Sequence, residues 1–141
     1  MGNNIKKGAL YIVATPIGNL EDITLRAIRV LKEVEIIAAE DTRRTRKLLG
    51  AYQISTPMTS LYDRIEDRKS SVLISKMNEG MDVAIVSDAG TPGISDPGYV
   101  LVSKAIAEGI EIIPVPGASA VITALSVSGL PTDSFAFYGF L

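Results

Sequence analysis

Apolar positions along this chain fall into five short runs, each followed by a stretch with helical spacing. Ala9-Leu10-Tyr11-Ile12-Val13-Ala14, Glu35-Ile36-Ile37-Ala38-Ala39, Met58-Thr59-Ser60-Leu61-Tyr62, Val83-Ala84-Ile85-Val86 and Ile110-Glu111-Ile112-Ile113-Pro114-Val115 have the length and residue types of strands. The unbroken Val83–Val86 run predicts a strand buried on both faces. Between the runs, Leu25, Ile28, Leu31 and Val34 recur at helical spacing. They predict a helix capped at Asp22 or Thr24 and running to Glu33, with Arg26, Arg29 and Lys32 turned to water. A second helix is predicted from the Glu40–Lys47 stretch to about Leu49, stopped by Gly50, and a third from Arg64 to Asn78, ended by Gly80. A fourth runs from Pro97 to Glu108, with Asp96 as its cap and Gly109 as its stop. The last covers Val121 to about Val127, behind a Ser119 cap.

Strand and helix alternate with short connections throughout. That order predicts an α/β fold: an open, mostly parallel sheet of five strands or slightly more, with helices on both faces. The 141 residues have the size of one domain. The end departs from the pattern, because Phe135-Ala136-Phe137-Tyr138-Gly139-Phe140-Leu141 is aromatic and has no polar termination. Such an end is expected at a domain boundary or beneath a partner.

Composition removes several chemistries. Without cysteine or histidine there is no zinc cluster, thiol nucleophile or imidazole base, so catalysis would rest on carboxylates, lysines, hydroxyls or positioning. No metal site is expected. No run approaches the roughly 18 apolar residues of a membrane helix, and the start lacks the order of a secretion signal. Lys6 stands where a Met1-Gly2 myristoylation motif wants a hydroxyl residue. A soluble cytoplasmic protein is expected. The net charge of −2 gives no global sign of a nucleic-acid binder, so charge has to be read locally.

Candidate chemistry lies where strands end, because ligands of open α/β sheets bind at that edge. The fourth run opens into Ser87-Asp88-Ala89-Gly90-Thr91-Pro92-Gly93-Ile94-Ser95-Asp96-Pro97-Gly98, whose glycines let backbone approach a ligand. Asp88, at the strand end, can accept from hydroxyl or amino donors. The first run opens into Thr15-Pro16-Ile17-Gly18-Asn19-Leu20, and the fifth into Pro116-Gly117-Ala118-Ser119-Ala120, where helix-start amides would face the same edge. The second run opens into Glu40-Asp41-Thr42-Arg43-Arg44-Thr45-Arg46-Lys47. Arg43, Arg46 and Lys47 there share a face by spacing, with Arg44 beside it. Cations near a helix start oppose its dipole, so this cluster points either to an anionic substrate or to a solvated patch.

These four loops resemble the motifs of the tetrapyrrole methylase superfamily, and the resemblance covers the whole chain. Within it the chain is similar to the N-terminal half of the branch that methylates a cytidine ribose 2′-oxygen in small-subunit ribosomal RNA. Thr15-Pro16, in place of the Gly-x-Gly of the porphyrin branch, favours that assignment. The resemblance implies S-adenosyl-L-methionine as methyl donor, bound between residues 1–141 and a second, C-terminal domain. It also implies a homodimer, and ribosomal RNA or the small ribosomal subunit as partner. Carried over by motif, Pro16, Asp88, Gly90, Thr91, Gly93, Gly117, Ser119 and Ala120 would line the cofactor; the basic cluster of Arg43, Arg44, Arg46 and Lys47 would then be what meets the RNA. The base stays unassigned. Glu40, Asp41 and Asp88 are the local carboxylates, and Arg43 could hold a phosphate or an oxyanion. Glu40 and Asp41 could equally cap the basic helix. Two other readings stay open: a methylase of a tetrapyrrole or other metabolite, and a noncatalytic nucleotide-binding module.

Overall fold

The computed structural model describes residues 4–140, so the Met1-Gly2 start and Leu141 lie outside the described residues. Five strands form one parallel sheet: β1 (Leu10–Val13), β2 (Ile36–Ala39), β3 (Met58–Ser60), β4 (Val83–Val86) and β5 (Ile112–Val115). Their order across the sheet is β3-β2-β4-β1-β5. In register, Ile12 stands beside Ile85 on one side and Pro114 on the other. Pro114 is tolerated because β5 is an edge strand with no second neighbour to receive a bond from its missing N–H. The apolar β4, in the middle, is buried along its whole length, as its composition predicts.

Helices cover both faces. Helices α1 (Leu25–Glu33) and α2 (Thr42–Ala51) bury Ala27, Val30, Leu31, Leu48 and Leu49 against Val13, Ile37, Ala84 and Val86. On the other face, α3 (Glu66–Asn78) and α4 (Tyr99–Ala107) bury Leu73, Ile74, Met77, Leu101 and Ala105 against Leu10, Ala38, Val83 and Ile85. The last helix, α5 (Ala120–Val127), has no buried residue.

Several local expectations need correction. Thr24, not Asp22, caps α1 by accepting from the Ala27 N–H at 3.0 Å, while Asp22 closes a short 3-10 turn. Leu25 is 86 % exposed, because the buried stripe runs through Ala27, Val30, Leu31 and Val34 instead. Arg26 does not simply face water; its guanidinium donates to the Pro114 carbonyl at 3.2 Å. Gly50 does not stop α2, which continues through Ala51 and ends where Gln53 takes up the left-handed turn. Asp96 caps nothing: α4 starts after Gly98, and the acceptor for its first amides comes from α3. The segment from Arg64 to Asn78, read as a surface face, therefore contributes a buried carboxylate, Glu66.

Candidate functional site

The topological switch point of the sheet lies between β1 and β4. These adjacent strands send their next helices to opposite faces, α1 to one and α4 to the other, so a crevice opens at their carboxyl ends. The two loops leaving them are joined. Thr15 and Gly90 exchange backbone hydrogen bonds of 3.0 and 3.1 Å, and the Thr15 hydroxyl donates to the Ser87 carbonyl at 3.3 Å. The sequence places glycine where this loop must turn, and Gly90, Gly93 and Gly98 all have left-handed φ.

Two clefts adjoin this paired segment. The larger, about 450 Å³, is lined by Gly90, Thr91, Ser119 and Ala120 among the expected cofactor residues, together with Ile17, Ile94, Asp96, Val121 and Phe137. The smaller, about 120 Å³, takes Pro16 and Asp88 together with Leu20, Arg44 and Lys47. The expected set is thus on one rim but split between neighbouring clefts. Gly93 and Gly117 line neither. Gly98 approaches the Gly93 backbone, and a side chain on Gly117 would meet the Ala14 methyl at 3.0 Å.

Asp88 is engaged within the protein. Its Oδ1 accepts from the Asp41 N–H at 3.1 Å, its Oδ2 lies 3.9 Å from the Arg44 Nε, and its own N–H donates to Glu40 Oε2 at 3.5 Å. The loops after β2 and β4 are thereby linked in both directions. Asp41 caps α2 by accepting from the Arg43 N–H at 2.9 Å, and its carboxylate also receives the Arg43 guanidinium. Those hydrogen bonds hold Asp41 below the ordinary carboxylate value and raise Arg43, which makes Asp41 a weak proton acceptor. Glu40 is pushed up, first by burial and then by the charge of Asp88. Asp96 is also raised, by burial and by the charges of Asp88 and Asp63.

The basic residues lie on the exposed side of α2, as their spacing predicts, but their side chains find different neighbours. Arg43 turns to Asp41, Arg44 to Asp88, and Lys47 lines the smaller cleft. Arg46 instead lines a groove with Leu49, Ile54, Pro57 and Met58. Sequence reasoning missed Asp96 as a cleft residue, although its position between Gly93 and Gly98 carried the signal. It also missed Phe137, for which no spacing rule gave a sign, because the tail brings it back over the cleft. Among the described residues no group of three or more carboxylates is arranged to hold a metal ion.

An open parallel sheet with glycine-rich loops at its switch point defines a class of α/β ligand-binding domain. The comparisons narrow it. The chain belongs to the tetrapyrrole (corrin/porphyrin) methylase family, whose model matches residues 9–140. A relative from Halalkalibacterium halodurans, named ribosomal RNA small subunit methyltransferase I, is 59 % identical over 135 residues, which are 96 % of this chain and 47 % of the relative. One of the same name from Vibrio cholerae is 58 % identical over 94 % of this chain and 46 % of its own. The chain therefore spans about half the length of the curated relatives it matches. Among solved structures, uroporphyrin-III-C-methyltransferase from Thermus thermophilus superposes with a TM-score of 0.65 at 27 % identity, over 89 % of this chain and 53 % of that one. A conserved hypothetical protein from Aeropyrum pernix gives a TM-score of 0.73 at 18 % identity, over 92 % and 46 %, and supports the fold alone.

Proposed function

We propose that residues 1–141 form the cofactor-binding N-terminal domain of a methyltransferase that transfers a methyl group from S-adenosyl-L-methionine to a cytidine ribose 2′-hydroxyl in small-subunit ribosomal RNA. The observation that carries the reading is the larger cleft at the switch point, taken with the names of the relatives. Its volume of about 450 Å³ lies within the range of small-molecule sites. Its chemistry also fits the donor. Ile17, Ile94, Val121 and Phe137 offer an apolar wall for an adenine, and the Thr91 and Ser119 hydroxyls offer hydrogen bonds to a ribose. Asp96 offers an anion to a ligand that carries sulfonium and ammonium charges.

The bound donor would supply the methyl group and its leaving thioether. The chain's share is orientation, because holding acceptor oxygen, methyl carbon and sulfur in line contributes up to roughly 7–11 kcal/mol. A ribose hydroxyl must also lose a proton. Glu40, raised by burial and by the Asp88 charge, suits that role better than Asp41, which is lowered. RNA phosphates would meet Arg46 and Lys47, with Arg43 and Arg44 joining as they exchange Asp41 and Asp88 for phosphate. The exposed apolar side chains from Ile122 to Phe140 support a second domain packing over α5. A homodimer acting in the cytoplasm belongs to the same reading.

The test is made in the full-length protein. Titration calorimetry with S-adenosyl-L-methionine should register binding, and mass mapping of small-subunit ribosomal RNA should show one ribose methyl lost when the gene is deleted. Arg46→Glu should leave cofactor affinity within about threefold, because Arg46 lines neither cleft, and should reduce RNA methylation at least about tenfold by opposing phosphate contact. Unchanged ribosomal RNA with retained cofactor binding would favour a metabolite methylase; no cofactor binding would leave a nucleotide-binding module.

A further inference from the structure

We propose that Glu66 is a positioning residue for the cofactor loop, holding its exit from α3, the neighbouring helix of the same layer. Glu66 opens α3 and is only 7 % exposed. Its Oε1 accepts from the Gly98 N–H at 2.8 Å and the Val100 N–H at 3.1 Å. These are the amides at the start of α4, which has no side-chain cap of its own. A carboxylate from another helix therefore does the work of the missing cap, and it does so where the Ser87–Gly98 loop ends.

The loop needs such a hold. Ser95, a residue with a Cβ, sits in the left-handed region at φ 58°, between Gly93 at 82° and Gly98 at 135°, values that glycine adopts without strain and serine does not. A strained segment persists only where its surroundings over-determine it. Here Gly98 packs on Ile85 and Gly93, and Glu66 of α3 accepts from its amide. A second tie between the same two helices is made by Lys104, whose Nζ reaches Asp67 Oδ1 at 2.8 Å and the Ser71 hydroxyl at 3.0 Å. With α4 held at two levels against α3, the residues just before it, Thr91, Ile94 and Asp96, keep their places along the larger cleft. That the cleft takes S-adenosyl-L-methionine rests on the function proposed above; the clamp itself does not.

Two readouts separate these parts. In the full-length protein, Glu66→Ala should speed amide hydrogen exchange at Gly98 and Val100 at least about tenfold and weaken S-adenosyl-L-methionine binding by about tenfold, because one buried and one half-buried donor lose their acceptor. Glu66→Gln, which keeps the oxygen acceptor, should stay within about threefold of wild type in both. Val30→Ala, a core truncation beneath α1 on the opposite face, should lower Tm without moving the dissociation constant, separating positioning from general destabilisation. Unchanged exchange at Gly98 and Val100 in Glu66→Ala would overturn the clamp, and so would a Glu66→Gln variant as impaired as Glu66→Ala. Altered exchange with unchanged cofactor affinity would overturn the positioning role. A wild-type protein that binds no S-adenosyl-L-methionine would defeat the proposed cofactor, while the exchange measurement would still decide the clamp.

Discussion

The sheet with its four covering helices and the stretch from α5 onward are both rich in apolar residues, yet they bury them in opposite measure. In the first region helices are two-sided: α1 puts Ala27, Val30 and Leu31 inside and Arg29, Lys32 and Glu33 outside, and its Arg29–Glu33 pair is exposed. In the second, α5 is the uncharged Ala-Val-Ile-Thr-Ala-Leu-Ser-Val, and none of it is buried. Val127 is 80 % exposed and Phe140 87 %. A helix apolar on all sides is normally found inside a protein. Apolar composition thus reports what a segment is suited to meet, and burial reports whether this chain supplies it. Within the tail, Phe137 lines the larger cleft and Gly139 approaches the Ser95 hydroxyl.

Truncating one side chain in each region should separate the two most. Ile37→Ala removes a fully buried side chain between β2 and the α1–α2 layer and should cost about 2–5 kcal/mol. Val127→Ala should change stability by less than about 0.5 kcal/mol. Urea unfolding of both variants checks this, and equal losses would mean that α5 belongs to the cooperative core.

Glycine replacements sharpen the same contrast. Gly98→Ala combines φ 135° with a new methyl 3.0 Å from Ile85 Cδ1, so it should cost about 1–3 kcal/mol and disturb the cleft. Gly129→Ala also meets a left-handed φ, 72°, but nothing lies within 4 Å of the added methyl. Its cost should stay near 1 kcal/mol or below, backbone strain being the whole of it. Denaturation midpoints of the pair give the difference.

The smallest expected effect concerns the rim carboxylates. Glu40 and Asp96 are raised on folding, so between the unfolded and folded values the folded chain holds more protons. Their contribution is present at acid pH and is lost as pH climbs through the folded values. Glu40→Gln and Asp96→Asn should each raise Tm slightly at pH 7, and the gain should vanish below about pH 4. Melting curves at the two pH values test the sign; a gain that persists at acid pH would remove ionisation as its cause.

Much of the architecture could be read from residue order. All five strand runs became strands and all the predicted helices formed, because period and breaker residues act locally. Helix ends were less legible. Gly50 looks like a stop but lies within α2, where helix packing outweighs its propensity, and Asp96 looks like a cap although Glu66 holds that end from elsewhere in the chain. The site shows the same division. Loops at strand ends, and the rim they share, follow from parallel topology. Which residues share a cleft did not follow from motif membership: Pro16 and Asp88 fall on one side of the Thr15–Gly90 bridge, and Thr91 and Ser119 on the other.

The amino-acid order by itself determined the alternation of strands and helices, the buried β4 and the edge at which ligand chemistry gathers. Each of these depends on spacing over a few residues. Tertiary structure alone decided that Glu66 would cap a helix 32 positions away, that the basic residues of α2 would find different neighbours, and that Phe137 would line the cleft. These depend on contacts between segments far apart in the chain, where geometry rather than local preference selects the partner.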